Sequence, residues 1–258
     1  MEFETILFEK DGGVATITLN RPRRKNAMNG RMFEELPVAF KAVEVDPEVR
    51  VAVVTGAGDS FSSGGDFSMD YGEAKEGQEP DVSQKALVLQ LASIPKPIIA
   101  AVNGLALGAG LSLALNCDLV YASEDAELGM FFVKRAITPE MSTTYLLPRL
   151  VGVHRAKELI FFGDRIGARE AAAIGLINAA FPAETFMAEV LARARRLAAG
   201  PMLAIGLAKT LIHDLLRDKV AQALDAEADA LFRCFETQDF LESVLAFMDK
   251  REPKFTGS

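Results

Sequence analysis

The sequence is poor in the residues that build metal and thiol sites. Its 258 residues include two cysteines, two histidines and no tryptophan. Cys117 and Cys234 form no CxxC, fit no metal spacing and sit in apolar contexts, so they read as buried free thiols in a reducing compartment. His154 and His213 fall on helical patterns with no acidic or nucleophilic partner in register. Ser112, Ser142 and Thr143 have no paired histidine, which excludes a serine triad. Positive charge is scarce as well: 28 Lys and Arg against 36 Asp and Glu give a net charge of −8. That balance excludes nucleic acid or an anionic membrane as the main partner, RPRRK at 21–25 being a local exception. No apolar run reaches transmembrane length, and MEFETILFEK has neither a basic n-region nor an apolar h-region. The expected location is cytoplasmic.

Nucleotide motifs are incomplete too. No GK[ST] follows a glycine-rich turn, which excludes a P-loop. Val54-Thr55-Gly56-Ala57-Gly58 starts like the TGxxxGxG turn of short-chain dehydrogenases, and Tyr71 to Lys75 spells YxxxK. The third glycine is missing, a loop rather than a helix follows, and the YxxxK comes far too soon for a catalytic pair. A Rossmann oxidoreductase is therefore not supported.

What is present is ordinary globular material, 50% hydrophobic and 25% charged, long enough for a large core. Residues 3–10 and 13–19 alternate around Asp11-Gly12-Gly13, a β-hairpin pattern. Asn29 is placed to cap a helix over 30–45. Apolar strands are expected at Arg50–Thr55, 98–102 and 118–122, with a helix over 84–93 and a mobile loop at 69–83. From residue 140 onward strands all but vanish. Helical patterns run over 140–150, 153–162, 168–174, 184–199, 202–217, 220–235 and 237–250. The expected class is α/β with parallel crossovers, and Gly200-Pro201 sets off a last group of helices. Those helices carry apolar stripes such as Leu207, Leu211, Leu215 and Leu231, Phe235.

Two glycine-bearing turns after apolar strands carry the chemistry: Phe61 to Phe67, FSSGGDF, and the end of Lys96 to Asp118, KPIIAAVNGLALGAGLSLALNCD. Brought together, their unobstructed N–H groups make a cradle for negative charge developing on a carbonyl oxygen. The pairing resembles the crotonase (enoyl-CoA hydratase/isomerase) superfamily, closest to its Δ3,Δ2-enoyl-CoA isomerase branch. The resemblance runs through Arg21-Pro22 with Asn26-Ala27, Phe61 with Gly64-Gly65-Asp66, 96–110, Cys117-Asp118 and 163–178. It implies a ββα spiral core over 1–199 holding a CoA-thioester site, and a C-terminal helical module over 200–258 that forms a homotrimer or dimer of trimers. The implied substrate is an acyl-CoA, with no metal and no cofactor beyond the CoA it carries.

Residue by residue, the resemblance implies that the N–H groups of Gly65 and Ala109 hold the thioester oxygen. Arg23 and Lys25 fall where CoA phosphates and adenine would lie, with Ala27, Ser63 and Asp66 nearby. Phe67, Met69, Met130, Phe131, Phe132 and Val133 are acyl-pocket candidates. Lys254 and Phe255 are placed to reach a neighbouring subunit's CoA. Hydratases of the family use two glutamates, and this chain has Ser112 and Phe132 at those positions. Thr138-Pro139-Glu140-Met141-Ser142-Thr143 instead resembles the isomerase segment in which the glutamate is the base. Glu140 also suits a helix cap beside Pro139. The resemblance therefore points to shifting a double bond from a 3-enoyl to a 2-enoyl thioester. Hydration, other enolate chemistry and non-catalytic acyl-CoA binding are its alternatives.

Overall fold

A fully apolar strand needs cover on both faces, and that requirement organises the first half of the chain. The computed structural model describes residues 3–66 and 82–258. β3 (Val51–Gly56) is buried along its whole length. Its Ala52 and Val54 face the main core, while Val51 and Val53 join Val14, Ile99 and Ala101 on the opposite side. That side is closed by α7 (Phe186–Ala198), which contributes Phe186, Val190, Ala194 and Ala198 at one-turn spacing.

The expected hairpin forms as β1 (Ile6–Asp11) and β2 (Val14–Leu19), paired antiparallel. α1 (Gly30–Val45) begins at Asn29, whose side chain accepts the Met32 N–H at 3.0 Å. The first sheet has the order β1-β2-β3-β5-β7-β10, with β5 (Ile98–Val102), β7 (Leu119–Ser123) and β10 (Ala179–Phe181). From β2 onward its neighbours run parallel.

A second sheet escapes the sequence pattern. Its order is β4 (Ser60–Ser62), β6 (Leu105–Leu107), β8 (Glu127–Gly129) and β9 (Arg165–Gly167). β4, β6 and β8 are parallel, and β9 closes the set antiparallel. β3 passes into β4, β5 into β6 and β7 into β8, each crossing from the large sheet to the small one. The helices that follow are α2 (Val82–Ser93), α3 (Ala109–Leu115), and α4 (Thr143–Val151) with α5 (Val153–Phe162). This repetition is the ββα superhelix that the family resemblance implies. It also fixes the site, because parallel neighbours β4, β6 and β8 release their following turns side by side.

α6 (Ala168–Ala173) leads to β10, and after Gly200-Pro201 come α8 (Met202–Asp214), α9 (Arg217–Phe235) and α10 (Gln238–Met248). Asp118 anchors α8 by accepting Lys209 Nζ and the Ile98 N–H, both at 2.7 Å. His213 Nε2 lies 3.4 Å from Asp118 Oδ1, an acidic neighbour that sequence register did not reveal because it comes from a different element. Leu203, Leu207 and Leu211 stay exposed on α8, as does Leu215 just beyond its end. Element boundaries depart from expectation in several places. The helix foreseen at 140–150 starts only at Thr143, and the last residues of the loop foreseen at 69–83 already open α2. The rest of that loop, with Phe67 and Met69, lies outside the described residues. Among the described residues no helix is long and apolar enough to cross a membrane, and no cluster could hold a metal ion.

Candidate active site

The loop after β2 is shaped by side chains that never need to touch a ligand. Asn26 is fully buried, donating to Ala57 O at 2.9 Å and Ser60 O at 2.7 Å while accepting the Arg21 N–H at 2.9 Å. Arg21 also pairs with buried Asp66, Nη1 to Oδ2 at 2.7 Å. These contacts lash the first loop to the turn after β4. A single parallel bridge joins Met28 to Gly65, with the Met28 N–H donating to Gly64 O and the Asp66 N–H to Met28 O. In that pattern the intervening Gly65 N–H points away from Met28.

The turn after β6 meets it from the other side. Gly64 has φ +98°, and a Cβ added there would lie 2.9 Å from Leu107 O and 3.6 Å from Ala109 N. Only glycine fits so close an approach. Gly108 sits at φ 48°, ψ −124°, again outside the reach of other residues, and delivers Ala109 as the first residue of α3. A first-turn N–H has no acceptor within its own helix. Gly65 and Ala109 both line one cavity of about 900 Å³.

The same cavity takes Lys25, Ala27, Ser63, Asp66, Phe131, Phe132 and Glu140 from the candidate set. Arg23 is not part of the lining; its neighbour Arg24 is. Met130 is buried in the core rather than facing the cavity. Lys254 and Phe255 lie on the exposed C-terminal tail, where the Lys254 N–H donates to Glu242 and neither side chain enters this chain's own cavity. Ser112 is fully buried outside the lining, its hydroxyl 2.6 Å from that of Thr143. The Phe132 ring packs beside Gly108, 3.7 Å from where a Cβ would lie.

Glu140 is half-buried in the cavity wall, just before two left-handed residues, Met141 at φ 57° and Ser142 at φ 59°. It therefore lies two residues before Ser142, the N-cap of α4, and its carbonyl accepts the Thr143 N–H at 3.3 Å. The carboxylate at that helix start is Glu227, from the middle of α9. Its oxygens accept the Ser142 N–H, the Thr144 N–H (2.7 Å each) and the Thr144 hydroxyl (2.5 Å). Burial pushes the Glu227 carboxyl above the ordinary range, while the Thr144 hydroxyl and the two N–H groups pull it down. From the other side Asn116 Nδ2 donates to Met141 O at 2.8 Å, and Asn116 Oδ1 accepts the Ser142 hydroxyl at 3.1 Å.

Sequence reasoning passed over Glu227. A signal was there, since Val220, Leu224 and Glu227 share one buried face, and a carboxylate on an apolar stripe asks for a partner. It also passed over the apolar contribution of α9 and α10, whose Leu224, Leu231, Phe232, Phe235 and Phe247 complete the cavity wall.

Comparison with known proteins agrees with this geometry. Residues 9–258 match the family model described as enoyl-CoA hydratase/isomerase. A crotonyl-CoA hydratase of Syntrophomonas wolfei is 38% identical over 257 residues, covering 99% of each chain. A 1,2-epoxyphenylacetyl-CoA isomerase of Escherichia coli is 38% identical over 263 residues, covering 100% of this chain and 99% of that one. The crystal structure of an enoyl-CoA hydratase from Mycobacterium avium subsp. paratuberculosis superposes with a TM-score of 0.90 at 32% identity, covering 99% of this chain and all of that one. Two glycine turns opening on one apolar cavity, a ββα superhelix and full-length similarity place the chain in the enoyl-CoA hydratase/isomerase (crotonase) family.

Proposed function

We propose that the protein is an acyl-CoA isomerase that moves a double bond from C3=C4 to C2=C3 of a CoA thioester. One observation carries the choice among family reactions. Neither position that would supply a hydratase's glutamates carries a carboxylate, Ser112 being buried against Thr143 and Phe132 adding an apolar ring to the cavity wall, while Glu140 lines that cavity. The thioester oxygen is held by the N–H groups of Gly65 and Ala109, each such donor contributing about 3–4 kcal/mol in comparable acyl-transfer sites. Glu140 takes a proton from C2, and the electron pair delocalises over the dienolate onto that oxygen. The protonated carboxyl then returns the proton to C4, and the new double bond forms between C2 and C3. One carboxylate on one face of the dienolate performs both steps. This chemistry asks for no metal and no redox cofactor; CoA arrives as part of the substrate, its phosphates beside Arg24 and Lys25 at the mouth.

Glu140→Gln should lower turnover of a 3-enoyl-CoA by about 10²–10⁴-fold, the usual contribution of a positioned acid–base group. Undiminished turnover sinks the assignment, and rapid hydration of crotonyl-CoA by the wild-type protein would favour the hydratase reading. The exposed leucines of α8 are proposed as the place where copies of the chain meet. Leu207→Glu/Leu211→Glu should then shift the mass seen by light scattering from a trimer, or a multiple of it, toward the monomer.

A further inference from the structure

A carboxylate buried beside a reaction cavity, tied to the segment that carries the proposed base, has a task of its own. We infer that Glu227 is a positioning residue: from α9 it holds the 140–144 segment so that the Glu140 carboxylate faces the bound acyl chain. The inference rests on the role proposed for Glu140. Three donors of this one segment converge on Glu227. Met141, between Glu140 and those donors, and Ser142, which supplies the first of them, both take the left-handed conformation that non-glycine residues disfavour. Such a kink persists only where its surroundings over-determine it. Asn116 supplies one fixed side and Glu227 the other, so the segment is clamped between the core and the C-terminal helices. Glu227 lines the cavity as well, so removing its charge alters the clamp without touching the glycine turns.

Glu227→Gln keeps the size of the side chain but swaps one accepting oxygen for an amide NH2, which cannot accept an N–H. Turnover should fall on the order of 10- to 100-fold, the scale of a misplacement near 1 Å, with KM for the CoA thioester unchanged. Placed on Glu140→Gln, the same change should cost nothing further, because the residue acts only through Glu140. Thr144→Val removes one donor at an exposed position and should lower kcat by a smaller factor, again with KM unchanged; it serves if the glutamine variant folds poorly. Crystal structures of wild type and Glu227→Gln should show the Glu140 carboxylate displaced in the variant. A Glu140 that keeps its place, a kcat that does not move, or a full additional loss in the double variant overturns the inference. A wild-type protein that shifts no double bond overturns the proposed isomerisation instead, and the displacement of Glu140 still decides the role of Glu227.

Discussion

Glu35 and Glu227 are near-duplicates in geometry on two helices far apart in the chain. Both are buried, at 3% and 5% exposure, and both accept two backbone N–H groups and one threonine hydroxyl. Glu35, on α1, holds the segment leading into the N-terminal hairpin through Glu4 and Thr5. Glu227 holds the segment after Glu140. What separates them is a cation: Arg31 Nε lies 2.9 Å from Glu35. Burial raises the Glu35 carboxyl, but the Thr5 hydroxyl, the Glu4 and Thr5 N–H groups and Arg31 together bring it below the ordinary range. At Glu227 burial prevails and the carboxyl is raised. The same hydrogen-bond set thus makes a settled structural tie in one place and a more costly anion beside a cavity in the other.

That contrast can be broken most forcefully by deletion. Glu35→Ala leaves two backbone donors without their acceptor and should cost about 2–3 kcal/mol in urea unfolding, with kcat unchanged. Glu227→Gln should do the reverse, losing rate while leaving KM alone. If both variants lose stability and rate in parallel, the distinction between tie and clamp is wrong.

The pH dependence of stability offers a subtler test, with opposite signs at the two sites. Glu35 has a folded pKa below 4.5, so the unfolded chain binds more protons in that window. Its contribution is present above 4.5 and lost as pH falls through the folded value. Glu227 has a folded pKa above 4.5, so the folded chain binds more protons. Its contribution is present below 4.5 and lost as pH rises through the folded value. Unfolding midpoints between about pH 3 and 7 should show the gap between wild type and Glu35→Gln widening with pH, and the gap for Glu227→Gln narrowing. Slopes of the same sign would contradict the account of the two carboxyls.

Five strands of the large sheet were legible because they carry five- and six-residue apolar or alternating runs, as in VAVVTG and IIAAV, whereas the three-residue β10 was not. The small sheet was not, because strands of three residues such as SFS, LAL and ELG give period-two alternation no room to show. Yet the small sheet is what sets the turns at 63–66, 108–109 and 130–135 side by side. The glycine turns and Glu140 were readable as local motifs. Arg24 for Arg23, and Met130 in the core, are one-residue questions of facing that a loop sequence does not answer. The start of α4 moved from 140 to Thr143, and a carboxylate that binds its N-terminus comes from a distant element; Ser142 and Glu227 are 85 residues apart.

The left-handed pair at Met141 and Ser142 has a consequence for how the protein is made. Two such residues cost on the order of 1–3 kcal/mol each, so the segment on its own prefers to let go. One side of what holds it belongs to α9, which leaves the ribosome more than seventy residues later. A nascent chain halted before Arg217 has both glycine turns but lacks that grip on the acid. The order of synthesis therefore releases both glycine turns before the helix that fastens the 140–144 segment, and before the α9 and α10 side chains that complete the cavity wall.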